Sequence, residues 1–342
     1  GSWKADGKTP DTDTGALGGT ATLGANGGDG IHSDGQINIT GGEIVNAKGG
    51  TSTVFGNGKG CNGIYSAKKL TIGTATIGNA QGGIGKSYGG AGVFSDSGLE
   101  ISGKAFIQNA KGGDSWMRGG DGIHSTGILT IKDDAKIEKA QGGTGKSGGT
   151  GIYSKNNLAI SQSAQISNAT GGDSADGTGT GGDGIHSDGK FTISKSTSGD
   201  AWPNTIGTAQ GGKGKSGGKG IFGKTVEIAV GIINQAKGGD STGTGEDDTG
   251  GAGISASESL AISGWIQHAT GGSAKDGKAG DGIHSDNTLD ISGGRIDEAT
   301  GSSAESGAGG SGIHGGAGIV ISDGIIKATG GTGGAGIGVG ET

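Results

Sequence analysis

The residue types most able to do chemistry in this chain keep one place. Each follows the isoleucine or valine that closes a Gly-Gly-x-Gly-Ile phrase: His32, Tyr65, Phe94, His124, Tyr153, His186, Phe222, Ser255, His284 and His314. Side chains alternate along a strand, so an inward isoleucine sends its successor outward. The set is then a column of rings on one outer face, with serine at a single step. Flat rings on a solvent face can stack on sugars, and they are unusual there unless something covers them. The plainer reading has the rings stacking on one another from repeat to repeat, or lying under loops, and sealing that edge. Such cross-strand pairs contribute roughly 0.2–1 kcal/mol each. The nine rings are the candidate ligand-binding residues.

Other chemistries fit less well. Aspartate precedes histidine in Asp-Gly-Ile-His at 29–32, 121–124, 183–186 and 281–284. Zinc needs three or four converging ligands, and single histidines on successive repeats do not supply them, so no metal site is expected. Gly-Lys-Ser at 85–87, 145–147 and 214–216 resembles a phosphate loop, but Ala80, Ala140 and Ala209 stand where that motif needs its first glycine. The phrase GGDGIHS at 27–33 approaches a calcium-binding nonapeptide, with histidine in place of the ligand aspartate and the wrong period. Acidic clusters at Asp11–Asp13 and Glu246–Asp248 read as solvated loop charge, with loosely bound calcium as the alternative. The acid pairs Asp133–Asp134 and Asp247–Asp248 lie on non-equivalent segments, and neither Arg118 nor Arg295 falls in an acidic constellation. No catalytic residues are assigned, and an enzyme is not expected.

Composition narrows the classes further. Acidic residues outnumber basic ones, 33 to 26, for a net charge of −7, and only two cations are arginine. Nucleic acid, which wants a clustered basic surface, is not an expected partner. Cys61 is the single cysteine and has no internal disulfide partner. No apolar run approaches the roughly 18–20 residues that span a bilayer. Gly1-Ser2 and the missing initiator Met read as a segment cut from a longer protein. Glycine fills 89 positions with only two prolines and no Gly-X-Y period, which excludes collagen; recurring Ile, Leu and Val argue against disorder.

The elements that position the rings follow from the repeat. Anchors stand at Ile31, Ile64, Val93, Ile123, Ile152, Ile185, Ile221, Ile254, Ile283, Ile313 and Ile337, mostly 29 to 33 residues apart. Six residues on comes a second aliphatic, as at Leu70, Leu99 and Leu129, and two later a third, as at Ile72, Ile101 and Ile131. A further column at Ile77, Ile107 and Ile137 is followed three residues on by Ala80, Ala110 and Ala140. The spacing predicts three short strands per unit, separated by glycine-rich turns. One unit cannot bury its apolar face alone; stacked units make a continuous core. The expected fold is all-β, a right-handed parallel β-helix of about ten coils and about 50 Å length. Residues 1–26 are expected to form an N-terminal cap or partial coil, 27–332 the repeats, and 333–342 a C-terminal partial coil.

Smaller signals refine this. Val226 and Ile228 sit one residue early, which predicts a bulge, and an insertion at 195–205 carries Trp202 and Pro203. Asn46, Asn79, Asn109 and Asn168 suggest a partial asparagine ladder, interrupted at Lys139. Loops with Gly-Lys-Ser interleave with Gly-Asp-Ser loops at 113–115, 172–174 and 239–241, which predicts a ladder of weak exposed ion pairs.

The phrases GDGIHSDGQINITGGEI at 29–44 and GDGIHSDNTLDISGGRI at 281–296 resemble the pectin-lyase-like right-handed β-helix superfamily, and more closely the glycine-rich repeats of bacterial cell-surface proteins described as carbohydrate-binding domains. The resemblance implies an extracellular or cell-surface adhesion module that binds a glycan or a host or cell-surface protein, with end-to-end contacts to neighbouring domains. The alternatives are a structural stalk and, behind it, a polysaccharide lyase or glycoside hydrolase.

Overall fold

The computed structural model describes residues 16–17, 27–52, 58–194, 204–325 and 327–340. They form an all-β parallel solenoid of about nine turns, the right-handed β-helix that the repeat predicts. Among the described residues no helix is long and apolar enough to cross a membrane.

Most turns supply three strands; in three turns the first two run together as one, at Ile185–Ser194, Ile221–Ile228 and Ile254–Ile262. In one central turn the three are Ile123–Ser125, Leu129–Ile131 and Lys136–Gln141. Every strand pairs in parallel with its counterpart one repeat away. Leu129 stands between Leu99 and Leu158, Ile123 between Val93 and Ile152, and Ala110 between Ala80 and Ala140. The Ile-x-x-Ala strands build an eleven-stranded sheet. Anchor and middle aliphatics, together with the Ile and Ala of that sheet, fill the bore and are fully buried over most turns. Each buried Ile or Leu contributes roughly 1.5–3 kcal/mol, and a file of identical side chains repeats that gain at every turn.

The bulge expected near Val226 is present. Phe191 pairs with Val226 and Val226 with Leu260, after register shifts between Ser187 and Lys190 and between Gly223 and Thr225. Most of the 195–205 insertion, Trp202 and Pro203 included, lies outside the described residues. The asparagine ladder forms as a run of three: Asn79 donates to Asn46 at 2.9 Å and Asn109 to Asn79 at 2.7 Å. Where Lys139 breaks it, Asn168 donates instead to the Glu138 carbonyl.

The glycine-rich segments, expected as turns, are a layer of their own. Most coils carry two glycine pairs, such as 112–113 and 119–120, that lie against each other and against the adjacent coils; Cys61, Ala279 and Ser302 stand at equivalent steps elsewhere. Gly113 donates its N–H to the carbonyl of Gly90, Gly120 to Gly113, and Gly143 to Gly120, at 2.7–2.8 Å. The same zigzag continues to Gly331, with Ser302 as its one substituted step after Gly90. Its closeness dictates the residue. A Cβ on Gly120 would stand 2.0 Å from the Gly90 carbonyl oxygen, and one on Gly112 would stand 1.9 Å from that of Gly120. Backbone packed this closely on backbone leaves no room for a side chain at positions such as Gly112 and Gly120, and the bonds satisfy groups that burial would otherwise orphan.

Candidate functional site

The outward column assembles as its spacing predicts, and the rings lie on one another. His32 stacks on Tyr65 with centroids 4.8 Å apart, Tyr65 on Phe94 at 5.6 Å, and Phe94 on His124 at 4.6 Å, with planes within 20°. The stack continues through Tyr153 and His186 to Phe222 with planes tilted by 37–40°. Ser255 interrupts it, and His284 stacks on His314 beyond, at 5.1 Å. Most ring faces are therefore covered by the next ring, and the column offers its edges outward. His32 is exposed, His314 is buried, and the rest lie between.

The aspartate of Asp-Gly-Ile-His is a joint between coils. One carboxylate oxygen faces Nδ1 of the histidine three residues on: Asp29 to His32, Asp121 to His124 and Asp281 to His284, each at 2.6 Å. The other oxygen accepts the backbone N–H of the following coil: Asn62 for Asp29, Thr150 for Asp121, Lys219 for Asp183 and Ser311 for Asp281. In three coils a second aspartate closes the clamp on Nε2: Asp34 on His32, Asp188 on His186 and Asp286 on His284, at 2.7–3.1 Å. Two carboxylates facing both ring nitrogens suit the imidazolium, which donates from both.

The electrostatics agree. Burial presses the His186 and His284 imidazoles toward the neutral form, but hydrogen bonds and charge from the flanking aspartates prevail and raise both above the ordinary histidine value. Burial likewise pushes the Asp121, Asp183 and Asp281 carboxyls up, yet the histidine hydrogen bond, nearby cations and the next coil's amide leave all three below the usual range. His314 has Ser311 where the others have aspartate; its Nδ1 is buried without a partner, and burial lowers it.

The tyrosines reach forward in the same way. Tyr65 donates its hydroxyl to Asp96 at 3.0 Å, and Tyr153 to Asp188 at 2.6 Å. Beside the ring edges runs a groove of about 370 Å³. Tyr65, Phe94 and His124 line it together with Lys59, Tyr88 and Arg118. That second row is itself in parallel register, Lys59 with Tyr88 and Tyr88 with Arg118.

The remaining candidates resolve individually. The predicted Lys–Asp ladder does not form as spaced: Asp114 and Asp173 accept the backbone N–H of Thr144 and Lys213, and Asp240 pairs with Lys213. Lys215 instead meets Asp248, which is buried and also accepts the Gly245 N–H, so this acid is a structural joint rather than solvated charge. Asp133 adopts φ of 60° and accepts the Gly103 N–H, a turn role. Asp11–Asp13 lies outside the described residues. Burial, then the Asp29 charge, pushes the Cys61 thiol up to about 11, so it stays protonated near neutrality. Among the described residues no group of three or more His, Cys, Asp or Glu side chains is placed to hold a metal.

The aspartate clamp escaped a reading built on metal spacing, although its signal is present. Aspartate occurs two residues before an anchor only where histidine follows that anchor, and Asn62, Ala91, Thr150 and Lys219 stand there ahead of Tyr65, Phe94, Tyr153 and Phe222. Comparisons with protein families, with curated proteins and with solved structures find no match.

Proposed function

We propose that this chain is a non-catalytic, extracellular binding rod of the bacterial cell-surface type, whose groove beside the ring column takes an extended polar chain, a glycan, along the solenoid axis. One observation carries the reading: the rings of Tyr65, Phe94 and His124 and the Lys59, Tyr88 and Arg118 row line one groove that crosses successive coils. Apolar edges suit the C–H faces of a sugar, while Arg118 and Asp96 offer its hydroxyls a donor and an acceptor. The phrases at 29–44 and 281–296 resemble those of the pectin-lyase-like helices and of the carbohydrate-binding repeats of surface proteins, and this use is what that resemblance implies.

The test is a glycan array read with the whole chain, with a Tyr65, Phe94 and Tyr153 to alanine variant, and with Tyr88→Ala/Arg118→Ala. Binding at a groove requires both variants to lose at least about tenfold in affinity, since buried aromatic and arginine anchors carry most binding energy. Unchanged binding by the second variant refutes the groove. A structural stalk is the second reading, favoured by ring faces already covered by their neighbours. On that reading no glycan is retained, and the ring variants lose stability alone. Turnover of an acidic polysaccharide, with or without calcium, would overturn both in favour of a lyase or hydrolase.

A further inference from the structure

The ring column has one break, and the break has a shape. Ser255 pairs with Phe222 on one coil and His284 on the next. Strands pair at about 4.8 Å, so these two ring positions stand about 9.6 Å apart. Where the column is continuous, neighbouring centroids lie 4.6–5.6 Å apart. The gap is one ring deep. It opens as a cavity of about 270 Å³ lined by Phe222, Ser255, His284 and Asp286.

The chain holds its own template for the occupant. Tyr153 lies between His124 and His186, and its hydroxyl donates to Oδ2 of Asp188, whose Oδ1 faces His186 Nε2 at 2.8 Å. Around the break the same parts recur: His284 is held by Asp281 through Nδ1 and faces Asp286 Oδ1 through Nε2 at 2.7 Å. Asp183, His186 and Asp188 thus have Asp281, His284 and Asp286 as their copies, and Ser255 stands where Tyr153 would. Tyr65 and Asp96 give the pattern a second instance.

The geometry points to a binding slot at Ser255 for one small phenol, its ring between Phe222 and His284 and its hydroxyl donating to Oδ2 of Asp286. The template also selects among phenols. In Tyr153 the ring carbon opposite the hydroxyl joins the strand through the side-chain methylene; in the slot, Ser255 occupies that place. A ligand bound in this pose must be unsubstituted opposite its hydroxyl, so the tyrosyl side chain of a partner is rejected. The Lys219 ammonium lies 5.3 Å over the Phe222 ring, whose other face His186 covers, so it lines the slot itself and must swing outward as the ligand ring enters. This slot lies away from the groove of Tyr65 and Phe94, and its test is independent of glycan binding.

The test titrates phenol, benzene and N-acetyltyrosinamide into the whole chain, followed by the His284 ring proton resonances. Phenol is expected to shift them saturably, and benzene and the tyrosine derivative to bind at least about tenfold more weakly, benzene lacking the hydrogen bond to a carboxylate. Ser255→Tyr fills the slot with its own ring and abolishes phenol binding while circular dichroism stays unchanged. Asp286→Ala, at a carboxylate 59 % exposed, keeps the fold and loses phenol binding by about tenfold while leaving benzene unaffected. Absence of saturable phenol binding overturns the proposal. Equal phenol binding by wild type and either variant also overturns it, and if Ser255→Tyr does not fold, Asp286→Ala alone decides.

Discussion

Asp281 binds His284 Nδ1 at 2.6 Å through one oxygen and the Ser311 amide of the next coil at 2.5 Å through the other, so one carboxylate both orients a ring and joins two turns. Asp121 does the same for His124 and Thr150. Removing it leaves a buried N–H unpaired and the ring unanchored. Asp121→Ala is expected to cost about 2–4 kcal/mol, read as a lower denaturation midpoint and faster hydrogen exchange at the Thr150 amide. An unchanged midpoint would show that the clamp contributes nothing.

Stability should respond to pH on both sides. His186 and His284 have raised values in the fold, so their stabilisation is complete below about pH 6.5 and is lost as pH rises through the folded values. Asp121, Asp183 and Asp281 have lowered values, so theirs is present above about pH 3.9 and is lost as pH falls further. His314, lowered by burial, opposes the other histidines. The melting temperature is expected to peak between about pH 4.5 and 6.5 and to decline toward pH 9. In the His186→Phe/His284→Phe variant, which keeps rings in the column, the alkaline decline should flatten; an identical slope counts against the pairing.

The aliphatic file is tested at Leu129, which is fully buried between Leu99 and Leu158. Leu129→Ala is expected to lose about 2–5 kcal/mol in chemical denaturation, because neighbouring coils hold the cavity open. A loss under about 1 kcal/mol would mean that the coils close over it.

Glycine positions separate sharply. Gly120→Ala drives a methyl into the Gly90 carbonyl, where both partners are backbone and neither can swing away, so little folded protein is expected from expression. Gly318→Ala meets nothing within 4 Å and is expected to be neutral or stabilising by up to about 1 kcal/mol. Comparable solubility and melting of the two variants would contradict the close-packed glycine layer.

What the chain determines by itself is whatever repeats along it. The anchor, Leu-x-Ile and Ile-x-x-Ala columns are legible because strand parity is local and identical units can bury their aliphatic faces only in register; the same logic exposes the bulge at Val226. What the tertiary structure alone decides runs between coils. Glycine pairs become a bonded layer only when the Gly113 amide meets the Gly90 carbonyl, and Asp114 takes the Thr144 amide where spacing promised a lysine. The ring column was visible as a list of residues, but whether faces or edges meet solvent depends on rotamers set by the rings above and below. The slot at Ser255 is the clearest case: in the sequence the serine is only a step without a ring, and it acquires further meaning from Phe222 and His284 on either side and from an aspartate thirty-one positions away in the chain.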